Sequence, residues 1–192
     1  MDRRCVLLIS QWSALLWNIL EDMKEPVCYI PSGICLGLAV TAAAAVLNRT
    51  VCSGRRRDIK KAAAFFLFAA YAAIVLQLAF FSREPGSRKG VDLQLFGTWG
   101  NEILPHEYLV ENILMFIPFG LLIPFAFPWA EKKKNCILSA FLFSICLELM
   151  QLVTERGFCQ IDDVWTNTLG AWIGWMISRA IKGSEKGRNL QP

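Results

Sequence analysis

Residues 136–153 read CILSAFLFSICLELMQLV. A run of this length is enough to cross about 30 Å of hydrocarbon as a helix rising about 1.5 Å per residue. It nevertheless carries Glu148 and Gln151, three residues apart and so on one helical face. A charged side chain at the bilayer centre costs roughly 2.5–3.5 kcal/mol on insertion scales, so an ionisable residue here faces protein or a polar cavity rather than lipid. Glu148 is five residues from the end of the run, about 7–8 Å beneath the interface. A carboxylate at that depth reaches a polar pocket near one membrane face without entering the bilayer centre.

Five further apolar segments surround this one, at 6–20, 28–47, 62–81, 113–129 and 164–181. The 192-residue chain is 55% hydrophobic and 19% charged, with the charges gathered between the apolar runs and a mean hydropathy of +0.40. Average soluble domains are about 45–50% apolar even with glycine counted. The expected fold is an all-α polytopic helical bundle of about six transmembrane helices. The segment at 6–20 carries Gln11 and Asn18 and is the weakest; if it lies in the interface instead, five helices span.

Charge alternates along the connections. From the N-terminus to the C-terminal tail, the seven polar segments carry net +1, −2, +5, −2, +2, −2 and +3. Lysine and arginine mark cytoplasmic loops, which places both termini in the cytoplasm of a multi-pass cell-membrane protein. The densest basic run, Arg55, Arg56, Arg57, Lys60 and Lys61, then lies in a cytoplasmic loop, and no nucleic-acid partner is indicated. With seven cysteines, several inside apolar runs, a disulfide framework is not expected. Cys5, Cys35, Cys136 and Cys146 read as small buried hydrophobes, and only a bridge between Cys28 and Cys159 stays open.

The same orientation brings polar residues from three helices to one level. The fourth segment opens with Glu111 and Asn112; the sixth is preceded by Asp162 and Asp163, with Asn167 four residues after Asp163. Each has an ordinary reading as well: a helix cap for an aspartate, an interhelical hydrogen bond for an asparagine, an ion pair with Arg156 for Glu148. Their meeting at one depth favours a shared pocket. Pro118 and Pro124 each remove a helical donor from the fourth segment, suggesting a bend that shapes the pocket. Gly170 and Gly174 form a GxxxG spacing suited to close packing inside the bundle. The one long connection, 82–110, holds Leu93, Leu95, Phe96 and Trp99, read either as a short interfacial element or as a loop. His106, the single histidine, has no serine or cysteine at a diagnostic spacing and reads as a surface residue.

Three pieces of sequence, NILMFIPFG at 112–120, ELMQL at 148–152 and RGFCQIDDVWTNTLGAWIGW at 156–175, resemble the VanZ family. These are small membrane proteins named for a determinant that lowers susceptibility to the glycopeptide teicoplanin. The resemblance spans about 65–180 and carries the family's polar positions onto Asn112, Pro118, Glu148, Gln151, Arg156, Asp162, Asp163, Asn167 and Gly170. It departs at Gln160, where the family often has an acidic residue. The organisation expected is an N-terminal membrane region at 1–61, a VanZ-like membrane domain at 62–181 and a polar tail at 182–192.

Two functions fit these residues. In the first, an envelope protein uses an outward acidic pocket to bind a cationic or metal-bridged ligand, such as a lipid-linked cell-wall precursor or a glycopeptide. Glu148, Asp162 and Asp163 are the candidate metal and catalytic residues, Asn112, Gln151, Arg156 and Asn167 the candidate ligand contacts, and Pro118, Gly120, Gly170 and Gly174 the structural ones. Such oxygen donors suit Mg²⁺ or Ca²⁺, and any chemistry is expected to be metal-assisted, on a lipid-linked substrate. In the second, the protein is a noncatalytic proton- or cation-coupled transporter or scaffold, with Glu148 as the ion site.

Overall fold

The computed structural model describes residues 3–22, 24–51, 59–81, 84–86, 90–92 and 103–188. The chain folds into a helical bundle of α1 (Arg3–Asp22), α2 (Lys24–Cys28), α3 (Ile30–Val51), α4 (Ile59–Phe81), α5 (Ile103–Ala126), α6 (Lys133–Val153) and α7 (Ile161–Arg188). A 3-10 turn, Pro128–Glu131, joins α5 to α6. Four helices are long and apolar enough to cross a membrane, over Ile30–Leu47, Ile59–Phe81, Tyr108–Ala126 and Lys133–Val153. Among the described residues, α1 and α7 have the length but not the same uniform apolarity.

Two boundaries differ from the sequence reading. The fourth apolar segment begins at Ile103 rather than 113, because Pro105 falls in the first turn, where a missing N–H costs nothing. The tail expected from 182 starts inside α7, which runs on to Arg188. Leu93, Leu95, Phe96 and Trp99, and the basic residues 55–57, lie outside the described residues. His106 lies in the first turns of α5.

The bundle is tightest where α5 meets α7, and glycine sets that distance. A Cβ on Gly170 would strike the Ile113 carbonyl, one on Gly174 the Ile117 carbonyl, and one on Gly120 the Ala171 carbonyl. Positions on both helices advance together, so α5 and α7 run parallel, backbone against backbone. The GxxxG spacing thus works inside the chain, as its sequence suggested. A second pair of glycines, which sequence reading missed, does the same for α3 and α4: Gly33 packs on Ile74 and Gly37 on Ala70. Ser32 Oγ closes one end of that contact by donating to Gln77 Oε1 at 2.6 Å.

Between these pairs the core is aromatic. Phe68 meets Phe119 edge-on at 5.4 Å, and Phe119 stacks on Phe143 at 5.5 Å, tying α4, α5 and α6 together. Such ring pairs add about 0.5–1.5 kcal/mol beyond their buried area. Cys136 is buried in this core, whereas Cys35 and Cys146 are exposed on the outside of the bundle, against the expectation for all the membrane cysteines. A membrane-facing surface needs apolar atoms as much as a core does, so hydropathy alone does not separate them.

The prolines of α5 do not interrupt it. Tyr71 Oη donates to the Met115 carbonyl at 2.9 Å, in the turn before Pro118. The Pro124 carbonyl would ordinarily receive the N–H of residue 128, but that residue is proline. Lys182 Nζ donates to it instead, at 2.8 Å, and also to Glu131 Oε1 at 2.8 Å. The parallel register puts Pro118 level with Trp175, well below the polar residues. The prolines therefore shape the core and the basic end rather than a pocket beside Glu148.

Candidate functional site

The two ends of the bundle differ in charge. One gathers Lys61, Lys132, Lys133, Lys134, Arg179 and Lys182 around Glu131. At the other, α6 ends and α7 begins, with Asp162 and Asp163 in its first turn.

On α6, Ser144, Glu148 and Gln151 form a polar stripe, and all three are buried. On α7, Asp163, Asn167 and Gly170 share a face by their spacing. The stripes meet at Asn167, whose Nδ2 donates to Ser144 Oγ at 2.9 Å. Because α6 and α7 run antiparallel, one turn outward from this bond sets Glu148 beside the first turn of α7. Glu148, 4% exposed, accepts a hydrogen bond from the Gln160 backbone N–H at 2.9 Å through Oε2. Gln160 immediately precedes α7, so this carboxylate sits at the positive end of a 28-residue helix. Asp162 and Asp163 lie in the same first turn. Position 160, where the sequence departs from an acidic residue, contributes its backbone N–H here.

Cys159 reports on the same spot. Burial pushes its thiol above the usual range, and the Glu148 and Asp163 carboxylates push it further in that direction. Both carboxylates therefore stand near the Cys159 sulfur. Cys28 and Cys159 are free thiols, which closes the question of a bridge between them.

The loop that presents Cys159 is fixed by the end of α6. Arg156 N–H donates to the Gln151 carbonyl and Glu155 N–H to the Leu152 carbonyl, with Glu155 in the left-handed region at φ 55°. This is a Schellman closure, with glutamate where glycine is usual. The connection between α4 and α5 then docks on this turn. Gly86 N–H donates to the Glu155 carbonyl, Cys159 N–H to the Gly90 carbonyl, and strand β1 (Val91–Asp92) pairs in parallel with β2 (Cys159–Gln160). Gly90 has φ +150° and the Phe158 ring 2.9 Å from where a Cβ would stand, so only glycine fits. The pairing sets Asp92 opposite Gln160.

The remaining candidates are placed less centrally. Asn112 is half-buried on α5 and, by the α5–α7 register, level with Leu169, about 3 Å inward of Asn167. Arg156 forms no ion pair with Glu148; its guanidinium lies over the Phe81 ring, 5.9 Å from the centroid. Among the described residues no three His, Cys, Asp or Glu side chains are grouped to hold one metal ion. Glu148, Asp162 and Asp163 thus do not form a ready-made Mg²⁺ or Ca²⁺ cage. Asp92 and Ser144 were not singled out from sequence, and Glu111, with a buried Oε1 on α5, was left out of the site. With α5 starting at Ile103, Glu111 lies two turns inside the helix rather than at its opening.

A model of the family described as VanZ/LLP1 matches residues 63–182. The chain belongs to the VanZ/LLP1 family. Protein VanZ of Enterococcus faecium is 32% identical over 91 residues, covering 45% of this chain and 51% of that protein. The chain thus spans about half the length of this curated relative. No solved structure matches it significantly. The VanZ/LLP1 region takes in most of α4, all of α5 and α6, and α7 as far as Lys182, and with them every candidate residue.

Proposed function

We propose that this protein is a cell-envelope membrane protein that lowers susceptibility to teicoplanin-type glycopeptides through an outward-facing acidic pocket. The observation that carries the reading is the placement of the buried Glu148 carboxylate against the first turn of α7, which itself holds Asp162 and Asp163. A buried carboxylate retained in a membrane helix is costly, and retention at a site where other carboxylates meet favours binding over packing. Orientation follows from charge: Lys61, Lys132–Lys134, Arg179 and Lys182 mark one end as cytoplasmic, so the carboxylate end faces outward and both termini lie inside.

The ligand class this pocket suits is a cationic group on an envelope molecule or glycopeptide. A bridging divalent ion would take most of its oxygen ligands from the bound molecule, since among the described residues no three His, Cys, Asp or Glu side chains are grouped. Kinship with Protein VanZ supports the resistance role. The test is glycopeptide susceptibility in a host expressing Glu148→Gln or Asp163→Asn, with membrane accumulation measured in parallel. The reading expects both variants to accumulate and to lose protection. Asparagine caps a helix about as well as aspartate, so capping alone predicts wild-type protection from Asp163→Asn, and that result in both variants would overturn the reading.

A further inference from the structure

A second surface lies on the lipid side of the bundle. An apolar groove of about 710 Å³ runs along α4 between α3 and α6. Its floor is opened by Ala69, Ala72 and Ala73, and its walls come from Leu36 on α3 and Met150 on α6. It reaches from Phe65 to Phe81, seventeen residues of α4, which is about 24 Å of helix. One leaflet supplies only half of the roughly 30 Å hydrocarbon thickness, so an ordinary acyl chain entering from one side leaves part of the groove unfilled.

The ends of the groove are unlike. At the basic end, Phe65 and Phe127 meet edge-on at 5.7 Å and bound it. At the other, Phe81 lines the mouth and carries the Arg156 guanidinium on its face. Arg156 has no ion-pair partner among the described residues. Lys24, also near this end, is held by Glu21 at 2.6 Å. A planar donor fork without a carboxylate, at the interfacial mouth of a long apolar channel, matches an anionic head on a long tail, and phosphate best of all.

We propose that this groove holds the tail of a polyprenyl phosphate, with Arg156 binding the phosphate at its mouth. This goes beyond the acidic pocket and moves Arg156, expected there as a ligand contact, to a separate site; its test does not read resistance, so the two proposals fail separately. The experiment places a photo-crosslinking residue at Ala72 in the full-length protein, in phosphatidylcholine nanodiscs. Equal mole fractions of a polyprenyl monophosphate, the uncharged polyprenol or a diacyl phosphatidate are then added. The expected result is labelling by the polyprenyl phosphate about tenfold above polyprenol, the ratio for one charge-assisted hydrogen bond, and above phosphatidate. Arg156→Gln brings labelling down to the polyprenol level, and Ala73→Trp, which fills the floor, suppresses it for every lipid. Equal labelling by phosphatidate would show a general site for anionic lipid, and unchanged labelling in Arg156→Gln would show that the phosphate is not held there; either overturns the proposal.

Discussion

Asn167 donates to Ser144 across the α6–α7 interface at 2.9 Å, and this bond fixes the register that brings Glu148 against the start of α7. The hydrogen bond from Gln160 N–H to Glu148 Oε2, one turn away, holds the same alignment at the start of α7. A double-mutant cycle of Ser144→Ala and Asn167→Ala, read by unfolding in detergent, should give a coupling of about 0.6 kcal/mol, with about 1.7 as the upper end for such bonds in membranes. No coupling would mean that this bond does not hold the α6–α7 register.

The glycine contact makes its own prediction. Gly170→Leu and Gly174→Leu drive side chains into the Ile113 and Ile117 carbonyls and should each cost about 1–3 kcal/mol or more, with loss of accumulated protein. Gly183, on the same helix, has nothing within 4 Å of a Cβ. Gly183→Ala should be neutral or gain about 0.5–1 kcal/mol from helix propensity. Equal effects at positions 174 and 183 would show that propensity, not close approach, is being measured.

The basic end should respond to pH. The hydrogen bond from Lys182, followed by the charges of Lys182, Arg179 and Lys61, holds the Glu131 carboxyl below its ordinary value of about 4.5 against an opposing effect of burial. A lowered carboxyl stabilises the fold fully above its unfolded pKa, and that contribution is lost as pH falls through the folded value. The stability gap between wild type and Lys182→Met should therefore stay constant above about pH 5 and shrink below it. What remains in acid reflects the bond from Lys182 to the Pro124 carbonyl. A gap unchanged down to pH 3 would place the whole effect on that carbonyl.

Much of this architecture was legible because membrane helices are written in length and polarity. Eighteen apolar residues with one glutamate gave both a span and a candidate site, and the GxxxG at Gly170 found its partner within the chain. What stayed hidden has physical causes. Pro105 looks like a helix breaker but sits in a first turn, so the first turns of α5, from Ile103, read as loop. Ser144 is small and common in membrane helices, and only the facing Asn167 gives it meaning. Asp92 reaches the site through strand pairing across 67 residues of chain, which no local pattern announces. The metal expectation rested on counting carboxylates, whereas Glu148 Oε2 is engaged by a backbone amide.

The most direct test of a shared, outward-facing carboxylate pocket is the pH dependence of Cys159 alkylation by a membrane-impermeant reagent in intact cells, with the other six cysteines replaced. The account predicts labelling from outside, with a midpoint above the usual thiol range of about 8.5. Glu148→Gln and Asp163→Asn should each move that midpoint down, because each removes a negative charge that opposes thiolate formation. Labelling only after permeabilisation, or the same midpoint in both variants as in wild type, would contradict it.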